Sequence, residues 1–161
     1  MIGFFHGAFE WGPRALGNRS IIVDPRLKDM KKLLNEKIKK REGFRPFAPS
    51  VLREKVDQWF EKDENVPFMT HVFKIKEEKR KLIPAVTHED GTGRIQSVTK
   101  DFNHRYYNII RRFDNVTDVP MILNTSFNEN EPIVNTPEEA LNCFLRTKMD
   151  TLVLENHLIL R

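Results

Sequence analysis

The sequence predicts an α/β (α+β) fold: an open mixed sheet flanked by helices. Strand-like and helix-like segments alternate irregularly along the 161 residues, and Gly and Pro punctuate their junctions. Hydrophobic residues make up 39% and are spread along the chain rather than gathered into repeats or one long run. The length fits one domain, residues 1–161, with enough apolar side chains for a core.

Residues 2–6, IGFFH, read as a short buried strand. Gly12-Pro13 breaks the chain, and Pro13 with Gly17 predicts a single helical turn over 13–17. SIIVD at 20–24 is a second strand. Over 26–38, Leu27, Met30, Leu34 and Ile38 fall on one helical stripe. Pro46 disfavours helix at Arg45, and 47–52 is extended. Residues 53–61 read as helix, 69–75 as strand, and Glu77–Lys81 as a charged turn. Asp90-Gly91 turns the chain into a strand ending near Val98. Residues 103–114 follow as a helix, and MILNTS after Pro120 as an apolar strand with a polar end. Thr136 and Glu139 form a capping-box signature for a helix running from Pro137 to about Lys148. The alternation in 151–160 around Asn156 predicts a terminal hairpin.

Composition excludes several function classes. No apolar run approaches the ~20 residues of a membrane span, and the first residues lack the features of a secretory signal. A single cysteine, Cys143, rules out an internal disulfide and fits a reducing, cytoplasmic setting; its apolar helical neighbours make it a core residue. There is no CxxC, HExxH or GxxxxGK[ST], and no histidine pair has the spacing of helical metal ligands, so no metal site is expected. Ser126 has no evident histidine partner for a hydrolase triad.

The chemistry concentrates in four motifs. GPRALGNRS at 12–20 holds Arg14 and Arg19 in a turn whose amides suit an anion. The alternative is a turn whose arginines pair with Glu10 and Asp24. KKREGFRPFAP at 39–49 sets Lys39, Arg41 and Arg45 around Gly43 and Pro46, where the cations repel one another until an anion arrives. HEDGTGRIQ at 88–96 carries His88, a candidate metal ligand or proton shuttle whose plainer alternative is a hydrogen-bonding residue, and Arg94, a candidate bidentate phosphate clamp. NTSFN at 124–128 ends a strand, where ligands of open sheets collect. On extended backbone, residues two apart share a face, so Lys39 would point with Arg41 and Ser126 with Asn128, forming a phosphate cradle. The net charge of +4 favours an anionic partner.

Together, EWGPRALGNRSI, KKREGFRPFAPSVL, IPAVTHEDGTGRIQ and ILNTSFNENEPIVNTPEEA resemble the C-terminal region of the nodulation and antibiotic-tailoring carbamoyltransferases. The resemblance runs in order through nearly the whole chain. It implies a YrdC/Sua5-like twisted open sheet, with a KxR…SxN pattern on Lys39, Arg41, Ser126 and Asn128. It further implies that carbamoyl phosphate and ATP, with Mg2+, give carbamoyl adenylate and pyrophosphate. The carbamoyl group would then pass to a hydroxyl acceptor in a preceding Kae1-like domain, which the sequence lacks. Under that reading Lys39, Arg41 and Arg94 are catalytic, and Arg14, Arg19, Arg45, His88, Ser126 and Asn128 bind substrate or nucleotide. A non-catalytic nucleic-acid-binding module is the alternative, and the oligomeric state is left open.

Overall fold

The computed structural model describes residues 1–161. The elements, in chain order, are β1 (Ile2–Phe5), β2 (Arg19–Val23), α1 (Met30–Lys37), β3 (Ala48–Leu52), α2 (Val56–Trp59), β4 (His71–Lys74) and α3 (Glu77–Arg80). They continue with β5 (Thr92–Val98), α4 (His104–Thr117), β6 (Met121–Ser126), α5 (Pro137–Arg146), β7 (Thr151–Leu154) and β8 (His157–Leu160). A turn of 3₁₀ helix over Arg53–Lys55 leads into α2.

All eight strands form one sheet in the order β4-β5-β3-β6-β2-β1-β7-β8. It is open and mixed: β3/β5 and β1/β7 are parallel, and the other pairs are antiparallel. The expected α/β class holds, and every predicted strand is present.

Alternation along the strands gives the two faces different tasks. Ile21, Val23, Val51, Ile95, Met121 and Leu123 share a core with Leu34 and Ile38 at the end of α1 and with Ala140, Cys143 and Phe144 of α5. On the opposite face, Phe4, Ile22, Leu52, Val98 and Ile122 pack against Tyr106 and Ile110 of α4. The same strands carry Ser50, Arg94, Gln96, Asn124 and Ser126 at positions that alternate with the first core. The first face is mainly apolar, with Arg19 and Ser97 as buried exceptions, and the other turns from apolar to polar along its strands.

Local chemistry explains the element ends. Asn103 caps α4, its side-chain oxygen accepting from the Tyr106 amide at 3.0 Å, and Asp118 closes the helix in the left-handed region at φ 57°. The Thr136–Glu139 capping box starts α5 as its sequence predicts. That helix ends at Arg146, where Thr147 turns its amide and hydroxyl onto the Cys143 carbonyl.

Three local expectations need correction. Residues 13–17 form no helical turn. The Glu10 carboxylate accepts hydrogen bonds from the amides of Leu16 (2.8 Å) and Asn18 (2.6 Å), so the loop wraps a carboxylate of its own chain. The helix expected over 26–38 begins at Met30, because Asp24 accepts from the Arg26 amide and sets a turn after Pro25. Glu77–Arg80 is a short helix rather than a charged turn, with its acids in the first turn and its bases in the last, as the helix dipole favours.

Gly17 marks the closest approach of this loop to α4. Its φ is +118°, and an added Cβ would lie 2.4 Å from the Tyr106 ring. Both conditions require glycine. In urea denaturation, Gly17→Ala is expected to destabilise clearly more than Thr136→Ala, whose cap loss costs about 1 kcal/mol. Equal effects would show that the loop can retreat from Tyr106.

Candidate functional site

At the polar end of the second sheet face lies a cleft of ≈ 250 Å³, lined by Arg14, Arg41, Arg45, Arg94, Asn124 and Ser126 among others. No carboxylate lines it. Three segments distant in sequence supply the four arginines, and each is held differently.

Arg14 lies on the loop that wraps Glu10. That loop is tied to the sheet by two buried amides: Gln96 donates through Nε2 to the Leu16 carbonyl at 2.9 Å, and Asn124 through Nδ2 to the Ala15 carbonyl at 3.1 Å. Arg41 and Arg45 lie on the connection from α1 to β3, which is organised by the fully buried Asn35. Asn35 Nδ2 donates to the carbonyls of Gly43 (3.2 Å) and Arg45 (3.0 Å), and its Oδ1 accepts from Arg41 Nε at 2.7 Å. The Arg41 guanidinium also stacks 5.1 Å from the Phe47 ring centroid. Arg94 projects from β5 itself.

The charge here is poorly compensated. Arg45 alone of the four pairs with a carboxylate, Glu42, at 2.8 Å. Burial, then the charges of Arg14 and Arg41, hold the pKa of Arg94 below the usual arginine range. Burial and the neighbouring Arg45 do the same to Arg41. An anion entering the cleft relieves this repulsion and supplies the acceptors that the guanidinium forks lack.

The cradle expected from Lys39, Arg41, Ser126 and Asn128 does not form as one site: Arg41 and Ser126 line the cleft, whereas Lys39 and Asn128 do not. Lys40 has φ 44°, so the segment is not extended and Lys39 does not point with Arg41. Lys39 is buried, and its ammonium donates to the carbonyls of Ser126 (2.6 Å) and Asn128 (2.7 Å) and to Asn128 Oδ1 (2.6 Å). Ser126 Oγ in turn donates to Asn128 Oδ1 at 2.8 Å, so these two side chains do meet. Lys39 thus braces the end of β6 from below, and Arg41 enters the cleft.

Two other expected residues sit elsewhere. Arg19 is buried with its guanidinium 3.6 Å from the Phe5 ring centroid. It donates to the carbonyls of His6, Gly7 and Asn18, so it ties β1 to β2 and does not face the cleft. The alternative pairing of these arginines with Asp24 fails too, since Asp24 pairs with Arg26. His88 lines a separate groove with Lys31, Phe44 and Asp90. Its Nδ1 bonds Thr92 Oγ1 at 2.9 Å, and burial lowers its pKa.

Asn35, Gln96 and Asn124 carry the site's positioning and were not singled out from sequence. Gln96 and Asn124 had a signal available: each lies two residues from a chosen residue on the same strand, Arg94 or Ser126, and so shares its face. Asn35 had none, since a helix interior gives no reason to expect an amide reaching out to a loop.

Burial first, then the charge of Arg41, lowers the Lys39 pKa from 10.5 to about 7. Between that value and the ordinary lysine range the unfolded chain holds the proton that the folded chain releases, so stability rises with pH across the window. Below it both states are protonated and the full burial penalty applies. The difference in unfolding free energy, wild type minus Lys39→Met, is expected to become more positive from about pH 6 to about pH 9. A difference independent of pH would mean that Lys39 keeps its proton throughout.

The family model described as the carbamoyltransferase C-terminus matches residues 1–161. The chain is 49% identical over 163 residues to the nodulation protein NolNO of Sinorhizobium fredii, covering 99% of this chain and 24% of that protein. It is 48% identical over 180 aligned positions to an uncharacterized protein of Synechocystis, covering 99% of this chain and 29% of that one. It is 37% identical over 125 residues to nodulation protein U of Azorhizobium caulinodans, covering 78% of this chain and 22% of the relative. The chain thus spans less than a third of the length of these relatives. With the family model matching from end to end and relatives well above 30% identity, the chain belongs to the carbamoyltransferase C-terminal family.

Proposed function

We propose that the arginine cleft binds ATP and carbamoyl phosphate and joins them into carbamoyl adenylate, for later transfer of the carbamoyl group to a hydroxyl acceptor held outside this chain, in a Kae1-like domain. The observation that carries this reading is the convergence of Arg14, Arg41, Arg45 and Arg94 on one cleft without a lining carboxylate. The two substrates bring roughly six negative charges, which must be neutralised before they can meet. The lining also decides how magnesium would enter. With no carboxylate to hold the ion, Mg2+ arrives chelated by the nucleotide's phosphates and is part of the substrate.

The roles follow from depth and tethering. Arg41 and Arg94 are partly buried and less free to move, which suits them to charge that develops during the reaction. Arg14 and Arg45 are exposed at the rim and suit capture and orientation of phosphates. In the joining step an oxygen of the carbamoyl group bonds to the α-phosphorus. The bond from that phosphorus to pyrophosphate breaks, and water takes the phosphoryl group of carbamoyl phosphate as inorganic phosphate, leaving the bridging oxygen in the carbamoyl adenylate. The protein supplies position and charge, with no covalent intermediate on a side chain. Lys39 acts one step away, by fixing the end of β6, whose Ser126 lines the cleft.

The dimensions of the cleft weigh against the nucleic-acid alternative. A cavity of ≈ 250 Å³ holds a phosphate-bearing group, whereas an extended strand needs a basic groove and stacking platforms that track several nucleotides. A second cavity of ≈ 500 Å³, bordered by Trp11 and Phe68 and by the same Arg14 and Arg94, offers room for the rest of a nucleotide.

The test is pyrophosphate release from ATP and Mg2+ with and without carbamoyl phosphate. Release is expected to depend on carbamoyl phosphate and to fall on the order of a hundredfold in Arg94→Ala, with the fold retained by circular dichroism. Near-normal release by the folded variant would remove Arg94 from the reaction. RNA binding at physiological salt, unaffected by ATP, would favour the alternative.

A further inference from the structure

A buried network of neutral hydrogen bonds crosses the sheet beneath the cleft, and the direction of each bond is fixed. Gln96 Nε2 donates to a backbone carbonyl, that of Leu16, so its other atom, Oε1, is the acceptor. Oε1 receives hydrogen bonds from Ser50 Oγ (2.5 Å) and from Asn124 Nδ2 (3.0 Å). With its proton committed to Gln96, Ser50 accepts from the Tyr106 hydroxyl at 2.9 Å. Asn124 Nδ2 also donates to the Ala15 carbonyl at 3.1 Å, which uses both of its hydrogens.

The orientation of the Asn124 amide is therefore set twice, by a backbone carbonyl and by Gln96. Its Oδ1 is left over. Three buried side-chain atoms in the chain lack a hydrogen-bond partner: Arg19 Nε, His88 Nε2 and Asn124 Oδ1. Of the three residues, Asn124 alone lines the arginine cleft. Asn124 is 1% exposed, and buried acceptors of this kind are rarely left alone without a reason.

An unpaired acceptor on a residue that lines a cleft walled by guanidinium groups is a mismatch for phosphate. Phosphate oxygens are themselves acceptors, and Oδ1 repels them. It fits a ligand that brings an N–H donor on the same small molecule as its phosphate. Resting on the reading of the cleft as a carbamoyl phosphate site, we infer that Asn124 Oδ1 accepts a hydrogen bond from the carbamoyl NH₂ and is the specificity determinant that separates carbamoyl phosphate from other acyl phosphates. Acetyl phosphate has the same phosphate, the same carbonyl and nearly the same shape. It places a methyl group where the NH₂ would be and leaves Oδ1 unpaired. A site that hydrogen-bonds a polar group discriminates strongly against the analogue lacking it, because desolvation goes uncompensated.

The test is titration calorimetry of this chain with carbamoyl phosphate, acetyl phosphate and inorganic phosphate. Wild type is expected to prefer carbamoyl over acetyl phosphate by roughly ten- to a hundredfold. Asn124→Leu, close in volume but without the acceptor, is expected to bring that ratio close to one. Gln96→Leu breaks the same network and loosens the same loop but leaves Oδ1 in place. It is expected to weaken both acyl phosphates and keep their ratio. Inorganic phosphate reports separately on the arginine cradle. If Asn124→Leu binds phosphate yet keeps the wild-type preference, or if wild type shows no preference, the assignment of Asn124 is overturned while the cleft remains a phosphate site. If wild type binds none of the three, the reading of the cleft itself falls.

Discussion

The constraint on which the rest depends is that like charges must be held together before their ligand arrives. Guanidinium groups sharing one cleft repel one another, and the three segments that carry them would separate if nothing neutral held them. The structure meets this constraint with buried amides. Gln96 and Asn124 fasten the Arg14 loop to the sheet through the Leu16 and Ala15 carbonyls. Asn35 fastens the Arg41–Arg45 connection to α1 through the Gly43 and Arg45 carbonyls. Amides suit the task because each offers donors and an acceptor without adding charge, so they bind backbone without cancelling the field of the site. A carboxylate in any of these places would neutralise an arginine and weaken the anion site it supports.

The same separation of holding from binding accounts for the two basic groups that stay out of the cleft. Arg19 and Lys39 are both buried and both directed at main-chain carbonyls. Arg19 joins the loop after β1 to the start of β2, and Lys39 fixes the turn where β6 ends. Glu10 plays the matching role for amides, collecting those of Leu16 and Asn18. A motif rich in arginine and glycine thus contains its own anion as well as residues that seek an external one. Their separation depends on which side chains the fold turns inward.

That dependence decides how much could be read from the sequence. The strands were legible because their alternation and their Gly and Pro boundaries are local. The α5 start was legible because Thr136 and Glu139 form a self-contained cap. The identity of the cleft was partly legible, since Arg14, Arg41, Arg45, Arg94 and Ser126 were singled out and do line it. The Lys39–Arg41 pairing was not, because it rested on an extended backbone that the left-handed Lys40 breaks. Nor was the fate of Arg19, whose partners include the His6 and Gly7 carbonyls, brought close only when β1 and β2 pair. Asn124 stood inside a chosen motif and on the face of Ser126, yet its importance comes from Ala15 and Gln96, 109 and 28 residues away.

The division of the sheet's second face follows from the same logic. Leu52, Val98 and Ile122 pack against α4, and Tyr106 of that helix reaches Ser50 to begin the polar network. The hydroxyl of Tyr106 is thus the point at which an apolar interface becomes the floor of a polar cleft. Its ring lies where a Cβ on Gly17 would be, so α4, the Arg14 loop and the network are packed against one another in a single layer. Proteins retain unpaired buried acceptors where function uses them. Here every other polar atom of the Gln96–Asn124–Ser50 network has found a partner within the fold. The one left without a partner belongs to the residue that also lines the cleft, which places the remaining hydrogen-bonding demand at the site where a ligand can meet it.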